Sequence, residues 1–139
     1  MWKTPITPRV SETDGAGHIN NAFIPIWFEA GRREIFRILT PDLGFENWQV
    51  ALVNMNVDYL AQTYFNESAL VKTWIERIGT KSFTVYEELW QGRRHCAKGT
   101  ATYVYYDYGA ECAAPVPDDV REAFAAHVYD KDRSPDAGT

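Results

Sequence analysis

Asp14 stands in a glycine-rich turn, Asp14-Gly15-Ala16-Gly17-His18, and within a few residues the chain passes into an apolar stretch that ends near Leu39. This spacing puts one carboxylate directly before the N-terminus of a helix. Such an end carries unpaired backbone N–H groups and a partial positive charge, which together can hold a developing oxyanion. A carboxylate beside it can attack a carbonyl or draw a proton from water. The pair therefore suits attack on an acyl carbonyl. The competing reading is structural: an Asp in such a turn often accepts a bond from the backbone two residues on and only fixes the turn.

Other chemistries fit less well. His18, His95 and His127 show no ligand spacing with cysteines or acids, so no metal site and no cofactor are expected. Ser11, Ser68, Ser82 and Ser134 lie in no G-x-S-x-G elbow, and neither a G-x-G-x-x-G nor a Walker loop occurs. A formal charge of −5 argues against a nucleic-acid partner, which needs a strong basic field. An anionic substrate would have to be held by a local cluster of cations. Lys81, Arg93, Arg94 and Lys98, in or near two hairpin turns, are the candidates, with solvated turn charges as the alternative. Cys96 and Cys112 form no CxxC and are too few for a disulfide framework, so free thiols in a reducing cytoplasm are expected. No run of about 18 apolar residues appears, so no membrane span is expected, and the N-terminus lacks the apolar stretch of a signal peptide.

The elements that must position Asp14 follow from periodicity. Residues 3–9 are short and β-prone. From Ala22 to Leu39 the pattern is helical: Ile24, Phe28, Gly31, Ile35 and Ile38 recur at spacings of three and four, opposite a stripe of Glu29, Arg33 and Arg37. Phe23, Ile26, Trp27 and Ala30 widen the apolar arc, so something must wrap around this helix. Asn20 or Asn21 is the natural cap, and Pro25 implies a loose first turn or a helix that starts near it. Pro41 and Gly44 end the element.

The rest reads mainly as strand: 51–59 alternates, while 67–78 and 82–91 flank the turn Gly79-Thr80-Lys81. Residues 95–107 place Ala97, Gly99 and Ala101 on one face, where small side chains let a helix approach. Pro117-Asp118-Asp119 opens a short helix to about His127. A single domain over 1–129 is expected, with 130–139 as a flexible tail. One long helix and its strands predict an antiparallel sheet curled around that helix.

These residues carry a family resemblance. The run Glu12-Thr13-Asp14-Gly15-Ala16-Gly17-His18-Ile19-Asn20-Asn21, followed by Phe28-Glu29 and Arg32, resembles the first signature of hotdog-fold acyl-CoA thioesterases of the 4-hydroxybenzoyl-CoA thioesterase class. Val57-Asp58-Tyr59-Leu60, Arg77-Ile78-Gly79-Thr80-Lys81-Ser82-Phe83 and Val116-Pro117-Asp118-Asp119-Val120 follow the later signatures in order. The match covers about residues 5 to 125. It departs at Ala61-Gln62-Thr63, where relatives often carry Arg-Pro, and at Pro25.

The resemblance implies an α+β hotdog fold, an antiparallel five-stranded sheet around one long central helix. It implies hydrolysis of an acyl-CoA thioester to free acid and coenzyme A, with Asp14 as nucleophile or general base. The backbone N–H of Asn21 would hold the thioester oxygen, and His18 and Asn20 would shape the substrate-binding turn. Lys81 and Ser82 would face the nucleotide part of coenzyme A, while Glu29 would be a surface or interface residue. A homodimer or homotetramer is expected, because the apolar helix and aromatic strands offer more apolar surface than one sheet covers. The alternatives are a hotdog enoyl-CoA hydratase or dehydratase, which uses a His with an acid in a different motif, and a non-catalytic acyl-CoA-binding hotdog protein.

Overall fold

Alternating side chains in the second half of the chain build a sheet, and the apolar helical segment fills its concave face. The computed structural model describes residues 1–131. In chain order the elements are β1 (Trp2–Ile6), α1 (Ile24–Ala30), α2 (Arg33–Leu39), β2 (Val50–Tyr59), β3 (Ala69–Ile78), β4 (Ser82–Gln91), β5 (Arg94–Asp107), β6 (Cys112–Ala113) and α3 (Asp118–Ala125). The strands pair antiparallel in the order β1-β3-β4-β5-β2, and the two-residue β6 adds to the end of β5. This is the curled hotdog sheet around a helix. The tail expected over 130–139 falls, from residue 132 on, outside the described residues. No helix among the described residues is long and apolar enough to cross a membrane.

Two apolar clusters join helix to sheet. One packs Ile24, Trp27 and Phe28 of α1 on Val71, Leu89 and Ala97. The other packs Ile35 and Leu39 of α2, with Val120 and Phe124 of α3, on Ile75, Phe83, Val85 and Tyr103. The small residues of β5 admit α1 as expected: a Cβ on Gly99 would lie 3.3 Å from the Phe28 ring and 2.5 Å from the Asn56 carbonyl oxygen.

The helical segment expected as one piece over 22–39 forms in three steps. Asn21–Phe23 is a single 3-10 turn, and α1 begins at Ile24 with Pro25 in its first turn, where no helical N–H is required. The α-helix then pauses at Gly31 and Arg32. There the Gly31 amide bonds to Phe28 O at 3.0 Å as well as to Trp27 O at 3.3 Å, and the Arg32 amide bonds to Glu29 O at 2.9 Å. The cause is contact with the sheet. A Cβ on Gly31 would lie 2.6 Å from Val71 Cγ1, so only glycine allows this approach. Arg32, next in sequence, is turned inward to Glu87.

Candidate active site

Residues 12–14 and 18–20 fold back on each other as a miniature hairpin ahead of α1. The Asp14 amide donates to His18 O at 2.9 Å, the Asn20 amide donates to Glu12 O at 2.8 Å, and Thr13 faces Ile19 between them. Gly15 and Gly17, with φ of +87° and +86°, make the reversal at angles that a side chain would disfavour. Asp14 thus stands at the mouth of the loop.

Its carboxylate meets both readings of the sequence. Oδ1 accepts the Ala16 amide at 2.8 Å, the turn-fixing bond, while Oδ2 lies 3.6 Å from His18 Nδ1. The Ala16 bond, helped by the His18 amide, holds the Asp14 carboxyl below the usual carboxylate range. With 38% of the side chain exposed, the group is ionised, oriented and open to a ligand.

Asn20 is the cap. Its Oδ1 accepts the Ala22 amide at 2.9 Å and its carbonyl accepts the Phe23 amide at 3.0 Å. The Asn21 amide has no acceptor among the described residues, which leaves it available at the helix entrance. The Asn21 carbonyl accepts the Tyr59 hydroxyl at 2.8 Å. A groove of about 510 Å³ opens here between Ile19, Asn21, Ile24, Tyr59 and the 60–63 segment.

Two supports were not read from the sequence. Glu12, 2% exposed, accepts the Arg9 amide at 2.8 Å and Trp27 Nε1 at 2.9 Å, which ties the base of the hairpin to α1. Burial alone would raise its pKa, but the Trp27 and Arg9 hydrogen bonds outweigh it and hold the carboxyl low. Glu12 reaching back to the Arg9 amide is one half of a capping box; Arg9 has no acceptor to supply the other half, so the acid three residues on was the local signal available. On the other side, the Ile19 amide bonds to Thr63 O at 2.7 Å, the Phe65 amide to Gly17 O at 2.9 Å, and His18 meets the Tyr64 ring edge-on at 5.2 Å. Gln91, 27 residues away, holds the Tyr64 backbone at both N–H and C=O, and nothing local announces it.

The structure brings Asp14, His18, Asn20 and Asn21 together. It does not bring Lys81 and Ser82 to them. Those two lie at the start of β4, whereas the hairpin is held from Gln91 at its end, about 30 Å away at the usual rise of a strand.

Residues 8–124 match the thioesterase-like superfamily. A structure described as a predicted thioesterase from Bacillus stearothermophilus is 50% identical, with a TM-score of 0.89 over 92% of this chain and 96% of that one. A thioesterase from Thermus thermophilus, complexed with coenzyme A and zinc, is 26% identical, with a TM-score of 0.80 over 90% of this chain and 92% of that one. The provisionally named acyl-CoA thioesterase YneP of Bacillus subtilis (strain 168) is 31% identical over 77 residues, 53% of this chain and 56% of that protein. That match spans just over half of the curated relative's length.

Proposed function

Because this chain belongs to the thioesterase-like superfamily, a family of hotdog thioester hydrolases, we propose that it hydrolyses an acyl-CoA thioester to free acid and coenzyme A, with Asp14 as the reacting carboxylate. The observation that carries this reading is the ionised, partly open Asp14 placed just ahead of the unengaged Asn21 amide. The amide and the partial charge at the helix entrance receive the oxygen of the tetrahedral intermediate. Asp14 either takes a proton from the water that adds to the carbonyl carbon, or adds to that carbon itself to give an anhydride that water then opens. In both routes the C–S bond breaks and coenzyme A leaves as the thiolate. His18 and Asn20 keep the turn and the helix entrance in register. Both cysteines are free thiols, in keeping with a cytoplasmic enzyme.

Asp14→Asn tests this. It keeps the shape and removes the charge, so turnover should fall at least about a hundredfold, the scale of a lost acid–base group, while folding and substrate binding persist. Near-normal turnover would reduce Asp14 to a turn residue. Trapping of an acyl group on Asp14 would select the nucleophilic route. Tight acyl-CoA binding without turnover by the unaltered chain would favour a binding protein instead.

We assign the working unit to a dimer. β2 ends the sheet, and Ile26, Phe45, Leu52 and Val53 near it are half or more exposed, or nearly so. An open edge beside apolar side chains pairs readily with another copy. Lys81 and Ser82, remote from Asp14 in their own chain, would then meet the nucleotide end of a substrate held in the other copy's site. A stable 15.9 kDa monomer by light scattering would remove this assignment.

A further inference from the structure

The face of the sheet turned away from the helices carries a second cluster that thioester hydrolysis does not use. Ladder pairing sets Lys3, Lys72, Glu88, Lys98 and Asp58 in one row across β1, β3, β4, β5 and β2. Beside that row, Trp90 and His95 stack with ring centroids 4.4 Å apart and planes 4° from parallel.

Lys72 is the unusual member. It is 3% exposed, and its ammonium sits 5.1 Å from the centroid of the Trp90 ring. Lysines are almost never covered to this degree unless paired. The indole accounts for the stem and for part of the charge, while the ammonium is not among the fully covered, unpartnered side-chain atoms of the described residues, so its N–H donors face outward. No hydrogen bond or ion pair reaches the Lys72 ammonium among the described residues. Its ladder neighbour Glu88 has both oxygens engaged elsewhere, Oε2 by the Tyr86 hydroxyl at 2.8 Å and Oε1 by Trp90 Nε1 at 3.0 Å.

His95 adds an independent sign. Its Nε2 is buried and makes no hydrogen bond among the described residues, an arrangement that is costly unless a group from outside the chain pairs it. Burial lowers the His95 pKa, Lys98 and Lys72 push it the same way, and among the charged side chains only Glu88 opposes them. Lys72 and Lys98 flank Glu88 on adjacent strands, so their Cα atoms are about 10 Å apart on one face. Lys98 also lines an adjoining groove of about 330 Å³ with Tyr86, Thr100 and Tyr129, where Asp58 and Glu76 are the acidic members and Lys131 is a further cation.

We propose that Lys72, His95 and Lys98 form an oxyanion site on the outer sheet face that takes a phosphoryl group, with Lys72 as its principal ligand. Glu88 has a hydrogen bond on each oxygen, and Asp58 and Glu76 lie on the far side of Lys98. The two ammonium groups and the imidazole on the Trp90 side therefore favour a phosphoryl oxyanion there. The phosphoryl group can come from free phosphate or from the 3′-phosphate of a coenzyme A molecule other than the substrate, whose own nucleotide end is assigned to Lys81 and Ser82. The site stands apart from the Asp14 chemistry, and its test reads binding without turnover.

The test follows the Trp90 indole and His95 ring signals by NMR while the full chain is titrated with sodium phosphate at constant ionic strength. Saturable shifts at both residues are expected. Lys72→Met keeps a stem on the indole and should weaken binding about tenfold or more, the scale of one charge-assisted hydrogen bond. Lys98→Ala should weaken it less. Coenzyme A binding more tightly than both phosphate and dephospho-coenzyme A would identify the 3′-phosphate as the bound group. Coenzyme A binding no better than phosphate would identify free phosphate, and either result supports the site. Shifts that never saturate, or affinity unchanged in both variants, would overturn it. Should Lys72→Met fail to fold, an unchanged affinity in the exposed Lys98→Ala variant overturns it alone.

Discussion

Asp14 fixes the turn ahead of the helical segment and Glu87 fixes the break within it, and their surroundings drive these two carboxylates in opposite directions. Asp14 sits in a loop with more than a third of its side chain exposed, and a backbone amide holds its pKa down. Glu87, 2% exposed, lies beneath the break between α1 and α2, where Arg32 Nη1 donates to one oxygen and the Thr73 hydroxyl to the other, each at 2.8 Å. Burial pushes its pKa up to about 7, against the pull of Arg32 and Thr73. A strongly perturbed pKa is often taken as the mark of a functional group, and on that ground alone Glu87 would be chosen. Access to a ligand instead favours Asp14, the carboxylate proposed to react. Glu87 is saturated by internal partners and closed to substrate, whereas Asp14 is cheap to keep ionised and has an oxygen to offer.

The contrast makes its largest prediction at Arg32. Arg32→Met leaves Glu87 buried without its counter-charge and should cost about 3–5 kcal/mol in urea denaturation. Arg32→Met combined with Glu87→Leu should recover much of that loss, since an apolar pair needs no desolvation. Asp14→Asn, in the same series, should leave the denaturation midpoint nearly unchanged, as surface changes do. A neutral Arg32→Met would erase the distinction between a carboxylate that holds the fold and one that reacts.

The sequence discloses these two sites unequally, and the reason is range. Asp14, its glycines and the Asn20 cap lie within seven residues, so a local motif contains the whole arrangement. Strands β2 to β5 are legible to within about two residues for the same reason, because alternation is a local signal. The break at Gly31 and Arg32 is not local. It is imposed by Val71, Thr73 and Glu87, distant in the chain, and a helical periodicity runs straight through it. Gln91 bracing Tyr64 is hidden likewise. Lys81 shows the converse: the family pattern aligns it with the site, while strand length separates it from Asp14 within one chain.

A smaller effect links the two regions. Trp27 belongs to the buried face of α1, yet its indole N–H serves Glu12 at the base of the hairpin that carries Asp14. Trp27→Phe keeps most of the apolar contact and deprives a buried carboxylate of one donor, at a cost of about 1–3 kcal/mol. Because that bond orients the hairpin, kcat per folded molecule should fall as well. The folded fraction of Arg32→Met should keep a kcat closer to the unaltered value. Equal losses in both variants would mean that the helix break positions Asp14 as much as the hairpin base does.

The smallest effect is a slope. The folded-state pKa of Glu87, about 7, lies above its ordinary value of 4.5, so the folded protein binds this proton more tightly than the unfolded chain. Its contribution to stability is fully present below about pH 4.5 and is lost as pH rises through about 7. Asp14 behaves in the reverse sense: its pKa is held below the ordinary 3.8, so its contribution is present above that value and is lost as pH falls through the folded-state pKa. His95 and His127, both lowered by burial, add a slope of opposite sign to that of Glu87 and overlap its window. The informative quantity is therefore the difference between the unaltered protein and Glu87→Gln, measured by urea denaturation from about pH 4.5 to about pH 7.5. That difference should shift steadily against the unaltered protein as pH rises, because the amide of the variant cannot ionise. The same subtraction with Asp14→Asn should stay flat across this window. A flat Glu87 difference would mean that Arg32 keeps Glu87 ionised throughout, and the two carboxylates would then be alike in charge and differ only in access to substrate.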